Sequence, residues 1–372
     1  MTFLITVGSV ALILIVLHDA FESVILPRRV TRPLQLTRLF YTFAWPPWAG
    51  ASQSIRKRRS RESFLSFFGP LSILLLLMVW AVALITGFAV LQWSHHLPLR
   101  SDSTPDFETY LYMSGTTFFT LGFGDVTPLS LPGRILAVVE AGLGFAFLAM
   151  VVGYLPVLYQ GFSRREGRIA LLDARAGSPP TAGELLRRNL RNQPEMERFL
   201  REWENWSAEL LETHLSYPVL CYYRSQHNNQ SWLAAITAVL DTCAVLMAIG
   251  EGELFPQAEL TFAVARHAVV DLAQIFNTAP ERPQPDRLET SDFEKFRIVL
   301  ENAGLRLDEN FEQRLEGVRK LYEPFIHPLS HYLCLTLPPW LPAKNAFDNW
   351  QTSRWGRVST GIAKEDSQDI DS

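Results

Sequence analysis

An uncharged run of 27 residues, Phe67 to Trp93, most restricts what this chain can fold into. A helix of about 20 apolar residues is enough to cross the hydrocarbon core of a bilayer. Ile135 to Leu158 is a second run, with Glu140 as its one charge, and Phe3 to Glu22 is a third. Helices satisfy their own backbone hydrogen bonds in lipid. The three runs therefore predict an all-α membrane protein.

A shorter segment, Phe107 to Phe119, lies between the run that begins at Phe67 and the run that begins at Ile135. As a helix it is only about 20 Å long, which is too short to cross a bilayer. It is followed by Thr120-Leu121-Gly122-Phe123-Gly124-Asp125. Irregular backbone at membrane depth is tolerated only where it lines a cavity or is buried in protein. Gly122 and Gly124 give the freedom that lets successive carbonyl groups turn toward one axis and replace the water around an ion. The segment therefore predicts a re-entrant pore helix and a coordinating loop.

The hexapeptide closely resembles the T-x-G-[YF]-G-D signature of the potassium channel superfamily, in its bacterial two-span form. The resemblance extends back through Thr116 and Thr117, and implies that these lie in the last turn of the pore helix. It implies that Thr120, Leu121, Gly122, Phe123 and Gly124 line a selectivity filter, with Asp125 just outside it as a carboxylate ring or an anchor. Phe119 stands where many members have a threonine, and Phe123 replaces the commoner tyrosine. A glycine turn between strands is the alternative.

The last span contains Gly142, Gly144, Gly153 and Pro156. In related channels a glycine well beyond the filter is the hinge for opening, and Gly144, 20 residues after Gly124, has the matching position. Proline removes a backbone hydrogen bond and kinks a helix, so Gly144 and Pro156 are the candidate gating hinge. Close helix packing in lipid is an equally weighted role for the glycines. We expect a structural hydrogen bond from Glu140, behind the filter.

The charges beside the spans predict their orientation, because basic residues are retained on the cytoplasmic side. One cluster lies within 56–61, before the middle span, and Arg164, Arg165 and Arg168 follow the last one. The protein is thus expected in the cell membrane as a multi-pass chain, with its amino terminus outside and its carboxy-terminal domain in the cytoplasm. One filter motif per chain predicts a homotetramer. K⁺ is the permeating ion, and neither a cofactor nor a resident metal is expected.

Two polar regions lie near the first span. His18, Asp19 and Glu22 are predicted to anchor its cytoplasmic end in the interface, with proton or ion sensing as the alternative. The segment that follows is basic and aromatic, which suits the head-group zone and contact with anionic lipid. A loop whose charges only fix topology explains it equally well.

The carboxy-terminal half has the pattern of a helical bundle. Ser231 to Ile249 is predicted as its buried central helix in preference to a fourth crossing, and further helices are expected at Gln257 to Phe276, Ser291 to Ala303 and Asp308 to His331. Tyr217 to Trp232 forms either a ligand pocket or a capped turn, and the ligand is unknown. The predicted domains are an amino-terminal span (1–27), a cytoplasmic linker (28–66), a pore domain (67–160), a cytoplasmic helical domain (161–363) and a disordered acidic tail (364–372).

These observations favour a potassium channel. A weakly selective cation channel is one alternative, and a non-conducting membrane-anchored sensor or scaffold is another. The net charge of −4 gives no indication of a nucleic-acid partner. No catalytic motif is present, so an enzyme is not expected. Cys221, Cys243 and Cys334 are widely spaced and predicted to be reduced core residues.

Overall fold

The computed structural model describes residues 1–26, 35–101, 104–227 and 229–342, so the predicted tail lies outside the described residues. The chain divides into two compact units, Met1–Gln160 and Gly161–Ser372. The regular secondary structure of the described residues is almost entirely helical, which confirms the predicted all-α class. Within the described residues, four helices are long and apolar enough to cross a membrane, and three of them coincide with the predicted spans.

The first unit holds the predicted spans and the pore segment. The structure begins helix α4 within one residue of the uncharged run, because the run carries no charge and its one proline, Pro70, lies in the first turn of the helix, where proline is tolerated. Two short antiparallel strands, β1 (Leu99–Arg100) and β2 (Thr127–Pro128), pair Leu99 with Pro128. The helices are α1 (Thr2–Ala20, continued by a π-helical turn Phe21–Ile25), α2 (Leu36–Gln53), α3 (Arg58–Ser66), α4 (Phe68–Ser94), α5 (Phe107–Phe118) and α6 (Leu131–Ala176), whose last residues belong to the second unit.

Asp19 connects three helices of the first unit. It is buried, and its carboxylate accepts hydrogen bonds from Trp80 Nε1 of α4 at 3.0 Å and from Thr37 Oγ1 of α2 at 2.8 Å. The backbone N–H of Thr37 also donates to it, at 3.1 Å, so the carboxylate stabilises the positive end of the α2 dipole. His18 and Glu22 form a pair at 3.6 Å. The interfacial role expected for this trio is thus accompanied, at Asp19, by contacts inside the protein.

The segment treated as a linker is mostly helical in its described part, 35–66, where α2 and α3 lie. The aromatic residues of α2 pack against α3 and the start of α4. Trp45 is buried with its ring 4.8 Å from that of Phe68, and Trp48 stacks on Phe64 at 4.5 Å. This segment therefore belongs to the packed body of the first unit.

The second unit is a helical bundle around α9. Ser231 caps α9 by accepting the N–H of Ala234 at 3.0 Å, and Gly250 ends it with a φ of 80°, where glycine is favoured. In the most apolar 18-residue stretch of α9, 89% is buried inside the protein. This confirms the prediction of a buried central helix. The helices are α7 (Ala182–Asn189), α8 (Gln193–Ser216), α9 (Trp232–Ile249), α10 (Phe255–Ile275), α11 (Thr290–Asn302), α12 (Phe311–Arg319) and α13 (Glu323–Leu333).

The single helix predicted from Asp308 to His331 is wrong, because the structure has α12 and α13 there. Pro324 explains the interruption. A proline inside a continuous helix would lose a hydrogen bond, and its ring would clash with the carbonyl four residues earlier, that of Lys320. Pro324 is instead accommodated in the first turn of α13. The predicted helices at Gln257 to Phe276 and Ser291 to Ala303 are confirmed as α10 and α11.

The segment Tyr217 to Trp232 has the features of a capped turn in its described part. A 3₁₀ turn spans Pro218–Tyr222, and Trp232 Nε1 donates to the carbonyl of Cys221 at 3.2 Å. Arg224 donates to the carbonyls of Leu333 and Cys334. These contacts tie the turn to the end of α13, and we therefore favour the capped turn over a ligand pocket.

Arg165 has a role that its sequence position did not indicate. It was used with Arg164 and Arg168 to orient the last span, but the structure buries it within the second unit. Its guanidinium donates to the carbonyl of Leu220 at 2.8 Å and lies 3.1 Å from His214 Nε2. Arg165 therefore anchors the end of α6 in the helical bundle, whereas Arg164 and Arg168 remain exposed.

Candidate functional site

The short helix α5 begins at a well-formed cap. Asp106 accepts hydrogen bonds from the N–H of Thr109 at 2.9 Å and from its hydroxyl at 2.8 Å, and these bonds hold the pKa of Asp106 below its usual value. Tyr110 Oη donates to the carbonyl of Leu97 at 2.8 Å. The 12 residues of α5 rise about 18 Å. This length fits the predicted re-entrant helix.

The end of α5 leads directly into the hexapeptide. The N–H of Leu121 donates to the carbonyl of Thr116 at 2.8 Å, and that of Thr120 donates to the carbonyl of Thr117 at 3.0 Å. Thr120 has a φ of 55°. These two bonds and the left-handed residue form a Schellman motif, which usually has glycine at this position. A left-handed conformation costs an L-residue about 1–2 kcal/mol, so the presence of a β-branched threonine is a local strain that points to function.

The backbone of the hexapeptide alternates in handedness. Thr120, Gly122 and Gly124 have φ values of 55°, 58° and 79°, whereas Leu121 and Phe123 are outside the positive region. In an ordinary strand the pleat turns successive residues to opposite sides. Because the sign of φ alternates along the hexapeptide, that regular reversal is lost, and the same side of successive peptide groups can face one axis. This is the backbone geometry that a row of carbonyl oxygens requires.

Asp125 is tied to α5 at the carboxyl end of the hexapeptide. Tyr112 Oη donates to Asp125 Oδ2 at 2.8 Å, and the N–H of Val126 lies 3.0 Å from Oδ1. The hydrogen bond from Tyr112 lowers the pKa of Asp125. These contacts favour the anchoring role expected for Asp125 over a free carboxylate. Sequence reasoning did not single out Tyr112, which lies on the same helix face as Thr116, four residues before it.

Two residues of α6 lie close to α5. A Cβ atom at Gly144 would lie 1.8 Å from the carbonyl oxygen of Phe118, whereas one at Gly142 or Gly153 would meet nothing within 4 Å. Gly144 is therefore required for close packing of α6 on α5. Glu140 is buried and lies within hydrogen-bond distance of Ser114 of α5, in agreement with the structural bond expected there.

The apolar surface around the hexapeptide is uncovered in a single chain. The side chains of Phe119, Leu121 and Phe123 are more than half exposed. Only 11% of the most apolar 18-residue stretch of α6 is buried. The corresponding value for the helical segment Arg58–Ser94, which contains α4, is 56%. The hexapeptide and α6 therefore leave much of their apolar surface exposed in a single chain.

Comparison with known proteins identifies the part of the chain that contains this site. Residues 73–160 match a family model described as "Ion channel". Protein LctB of Bacillus caldotenax is 34% identical over 93 residues, which are 22% of this chain and 69% of LctB, and the LctB of Geobacillus stearothermophilus matches to the same extent. The chain belongs to the ion-channel family. No solved structure matches it.

A further relative of this ion-channel chain extends the similarity beyond the matched range. The uncharacterized membrane protein YdjJ of Bacillus subtilis (strain 168) is 23% identical over 244 residues, 65% of this chain and 70% of YdjJ. The apolar helices and this membrane-protein relative together indicate a membrane protein.

The described residues contain no group of three or more His, Cys, Asp and Glu side chains arranged to hold a metal ion. His95 and His96, which follow α4, are exposed. His95 Nε2 lies 3.0 Å from the hydroxyl of Thr6.

Proposed function

We propose that this protein is the subunit of a homotetrameric, potassium-selective ion channel. The observation that carries the proposal is the alternating backbone of Thr120, Gly122 and Gly124 at the end of a short helix. Carbonyl oxygens arranged in rings replace the hydration shell of K⁺ in such filters. Thr120 adds a hydroxyl group below them, and Leu121 and Phe123 direct their side chains away from the ion path.

The proposed tetramer follows from the single copy of the filter in each chain. A ring of carbonyl groups needs several copies around one axis, and closed cyclic symmetry supplies them. The uncovered side chains of Phe119, Leu121 and Phe123 support this assembly, because neighbouring copies would bury them. The carboxyl end of α5 carries the negative end of the helix dipole, which favours a cation beside it.

In the proposed arrangement the amino terminus is outside the cell and the second unit lies in the cytoplasm. The exposed basic residues at the start of α3 and just before it are Arg56, Lys57, Arg58 and Arg59. Leu39 and Phe43 form an exposed apolar face on α2. A basic cluster beside an apolar helix face suits the head-group zone, so anionic lipid is the proposed membrane partner. No nucleic acid is proposed, and the stimulus and the ligand of the second unit stay unassigned.

Ion flux into liposomes tests the proposal. Full-length protein reconstituted into vesicles is expected to carry current whose reversal potential follows the potassium gradient when sodium is the opposing cation. A reversal potential near zero under these conditions would indicate the weakly selective alternative. Absence of current from intact tetramers would instead favour the scaffold.

Gly122→Ala is expected to abolish selective potassium current while leaving the tetramer assembled. Gly122 has a φ of 58°, where alanine is strained by about 1–2 kcal/mol. The added methyl group meets no atom within 4 Å in the chain, so the defect arises in the backbone. The measurement is the reversal potential, with size-exclusion chromatography as the test of assembly.

The matched control for this substitution is Gly115→Ala. Gly115 lies in α5, its φ is not in the left-handed region, and an added Cβ there also meets nothing within 4 Å. We expect this variant to conduct normally, because alanine is favoured in a helix. Unchanged potassium selectivity in Gly122→Ala would contradict the proposed filter.

A further inference from the structure

A buried polar contact joins three helices behind the pore segment. Ser114 Oγ of α5 lies 2.8 Å from the carbonyl oxygen of Ile85 in α4, and it also lies within hydrogen-bond distance of Glu140 Oε1 in α6. Ser114 and Glu140 are fully buried within one chain. The second carboxyl oxygen, Glu140 Oε2, has no hydrogen-bond partner among the described residues.

The hydrogen atoms available to this cluster determine how it is bonded. A serine hydroxyl has one hydrogen to donate and can accept as well, whereas a backbone carbonyl only accepts. The hydrogen of Ser114 must therefore point to Ile85 if that contact is a hydrogen bond. The contact between Ser114 and Glu140 then needs a hydrogen from Glu140, which an ionised carboxylate does not have.

Among the described residues, no basic side chain forms an ion pair with Glu140. Helix α4 has no charged residue, and α5 has Glu108 in its first turn together with Tyr110 and Tyr112. On α6 the nearest charged residue in the sequence is Arg134. None of these is hydrogen-bonded to Glu140 or forms an ion pair with it in the part of the chain that the structure describes. An isolated buried charge is strongly unfavourable, and a carboxyl group in such a place is neutralised instead.

We infer that Glu140 is a protonated positioning residue that donates to Ser114, which in turn donates to Ile85. This relay, defined as Glu140, Ser114 and Ile85, holds the pore helix between α4 and α6. Ser114 is two residues before Thr116, whose carbonyl closes the turn into the filter. The relay therefore fixes the helix end from which the filter begins. The protonation of Glu140 is independent of the proposed function, and only the expected effect of the relay on conduction rests on it.

Infrared spectroscopy of the purified full-length protein tests the protonation directly. The difference spectrum of wild type minus Glu140→Gln is expected to contain the carbonyl band of a carboxylic acid at neutral pH. Glu108→Gln, which alters an exposed carboxylate on α5, is the control and is expected to change carboxylate bands only. A difference spectrum for Glu140→Gln that contains only carboxylate bands would overturn the inference, whether or not the protein conducts.

Flux measurements test the positioning role. The amide introduced by Glu140→Gln keeps an N–H donor for Ser114, so potassium flux is expected to stay within about twofold of wild type. Ser114→Ala removes both hydrogen bonds and is expected to lower flux roughly tenfold, since buried groups are left unpaired. Alkaline solution should inhibit wild type but not Glu140→Gln, because the amide does not ionise. This role would be refuted if alkaline solution inhibited both proteins equally. It would also be refuted if Glu140→Gln tetramers did not conduct under conditions in which wild type does.

Discussion

Asp241→Asn is expected to destabilise the second unit by about 3–5 kcal/mol, because it leaves a buried arginine without its main counter-charge. Asp241 is fully buried in α9, and Arg287 Nη1 and Nη2 both donate to its carboxylate. Tyr322 Oη donates to the same group. The side chain of Arg287 is 7% exposed, so water cannot replace the lost contact.

The other partners of Arg287 do not compensate for this loss. Glu323 Oε1 lies 3.3 Å from Arg287 Nη1. The same carboxylate already accepts hydrogen bonds from Arg319. Burial raises the pKa of Glu323, which weakens it as a second counter-charge. The carbonyl of Pro338 accepts at 2.9 Å but carries no net charge. The guanidinium groups of Arg287 and Arg319 both lie over the ring of Trp340, at 5.7 and 5.5 Å, so the loss should also loosen the chain after α13.

Hydrogen exchange measured by mass spectrometry is suited to this test because it resolves the two units separately. Peptides from α9 and α13 are expected to lose protection in Asp241→Asn, whereas peptides from α5 keep theirs. Glu316→Gln is the matched control, since Glu316 forms an exposed pair with Lys320 at 2.6 Å, and such pairs contribute at most about 1 kcal/mol.

A double variant separates the lost counter-charge from general damage. Asp241→Leu with Arg287→Met removes both charges, and apolar replacement of a buried ion pair is often close to neutral. It should therefore recover much of the protection lost in the single variant. Equal exchange in Asp241→Asn and Glu316→Gln would show that the buried pair is not important for stability.

The sequence predicted those features that depend on local composition. The run Phe67 to Trp93 became α4 with its ends shifted by one residue, because an uninterrupted apolar segment of that length has few alternatives. The bounds of the short helix α5 were predicted to within one residue, whereas its role as a pore helix stays a prediction. The break at Pro324 was also visible in the sequence, and the single helix predicted across it gave too little weight to the clash that proline causes.

Contacts between distant parts of the chain could not be predicted in the same way. Periodicity indicates which face of a helix is buried, but it does not indicate which residue covers it. The bonds from Trp80 and Thr37 to Asp19, and from Tyr112 to Asp125, join residues whose pairing depends on the assembled fold. The sequence therefore placed the candidate filter and missed most of the side chains that hold it.

Gly144→Ala is expected to displace the pore helix and strongly reduce selective current. An added Cβ would lie 1.8 Å from the carbonyl oxygen of Phe118 and 2.7 Å from its carbonyl carbon. These are backbone atoms at the end of α5, so no side-chain rotation can relieve the clash. Overpacking of this kind costs about 1–3 kcal/mol or more, and the helices must separate to accommodate the methyl group. Because the filter begins two residues after Phe118, the displacement reaches it directly.

The result also separates packing from hinge bending at Gly144, which the sequence left equally weighted. If Gly144 acts mainly as a hinge, alanine should lower the open probability of single channels and leave the reversal potential unchanged, because alanine stiffens a helix without altering the filter. If it acts by packing, both the unit conductance and the potassium reversal potential should change.

Gly142→Ala is the matched control, two residues earlier on α6, where an added Cβ meets nothing within 4 Å. It should conduct like wild type, since alanine is favoured over glycine in a helix by about 1 kcal/mol. Wild-type conductance and selectivity in Gly144→Ala would mean that α5 and α6 lie farther apart than the contact with Phe118 requires. In that case Pro156 would be the better candidate for the bending point, because it interrupts the hydrogen bonding of α6 on the far side of Gly144 from the filter.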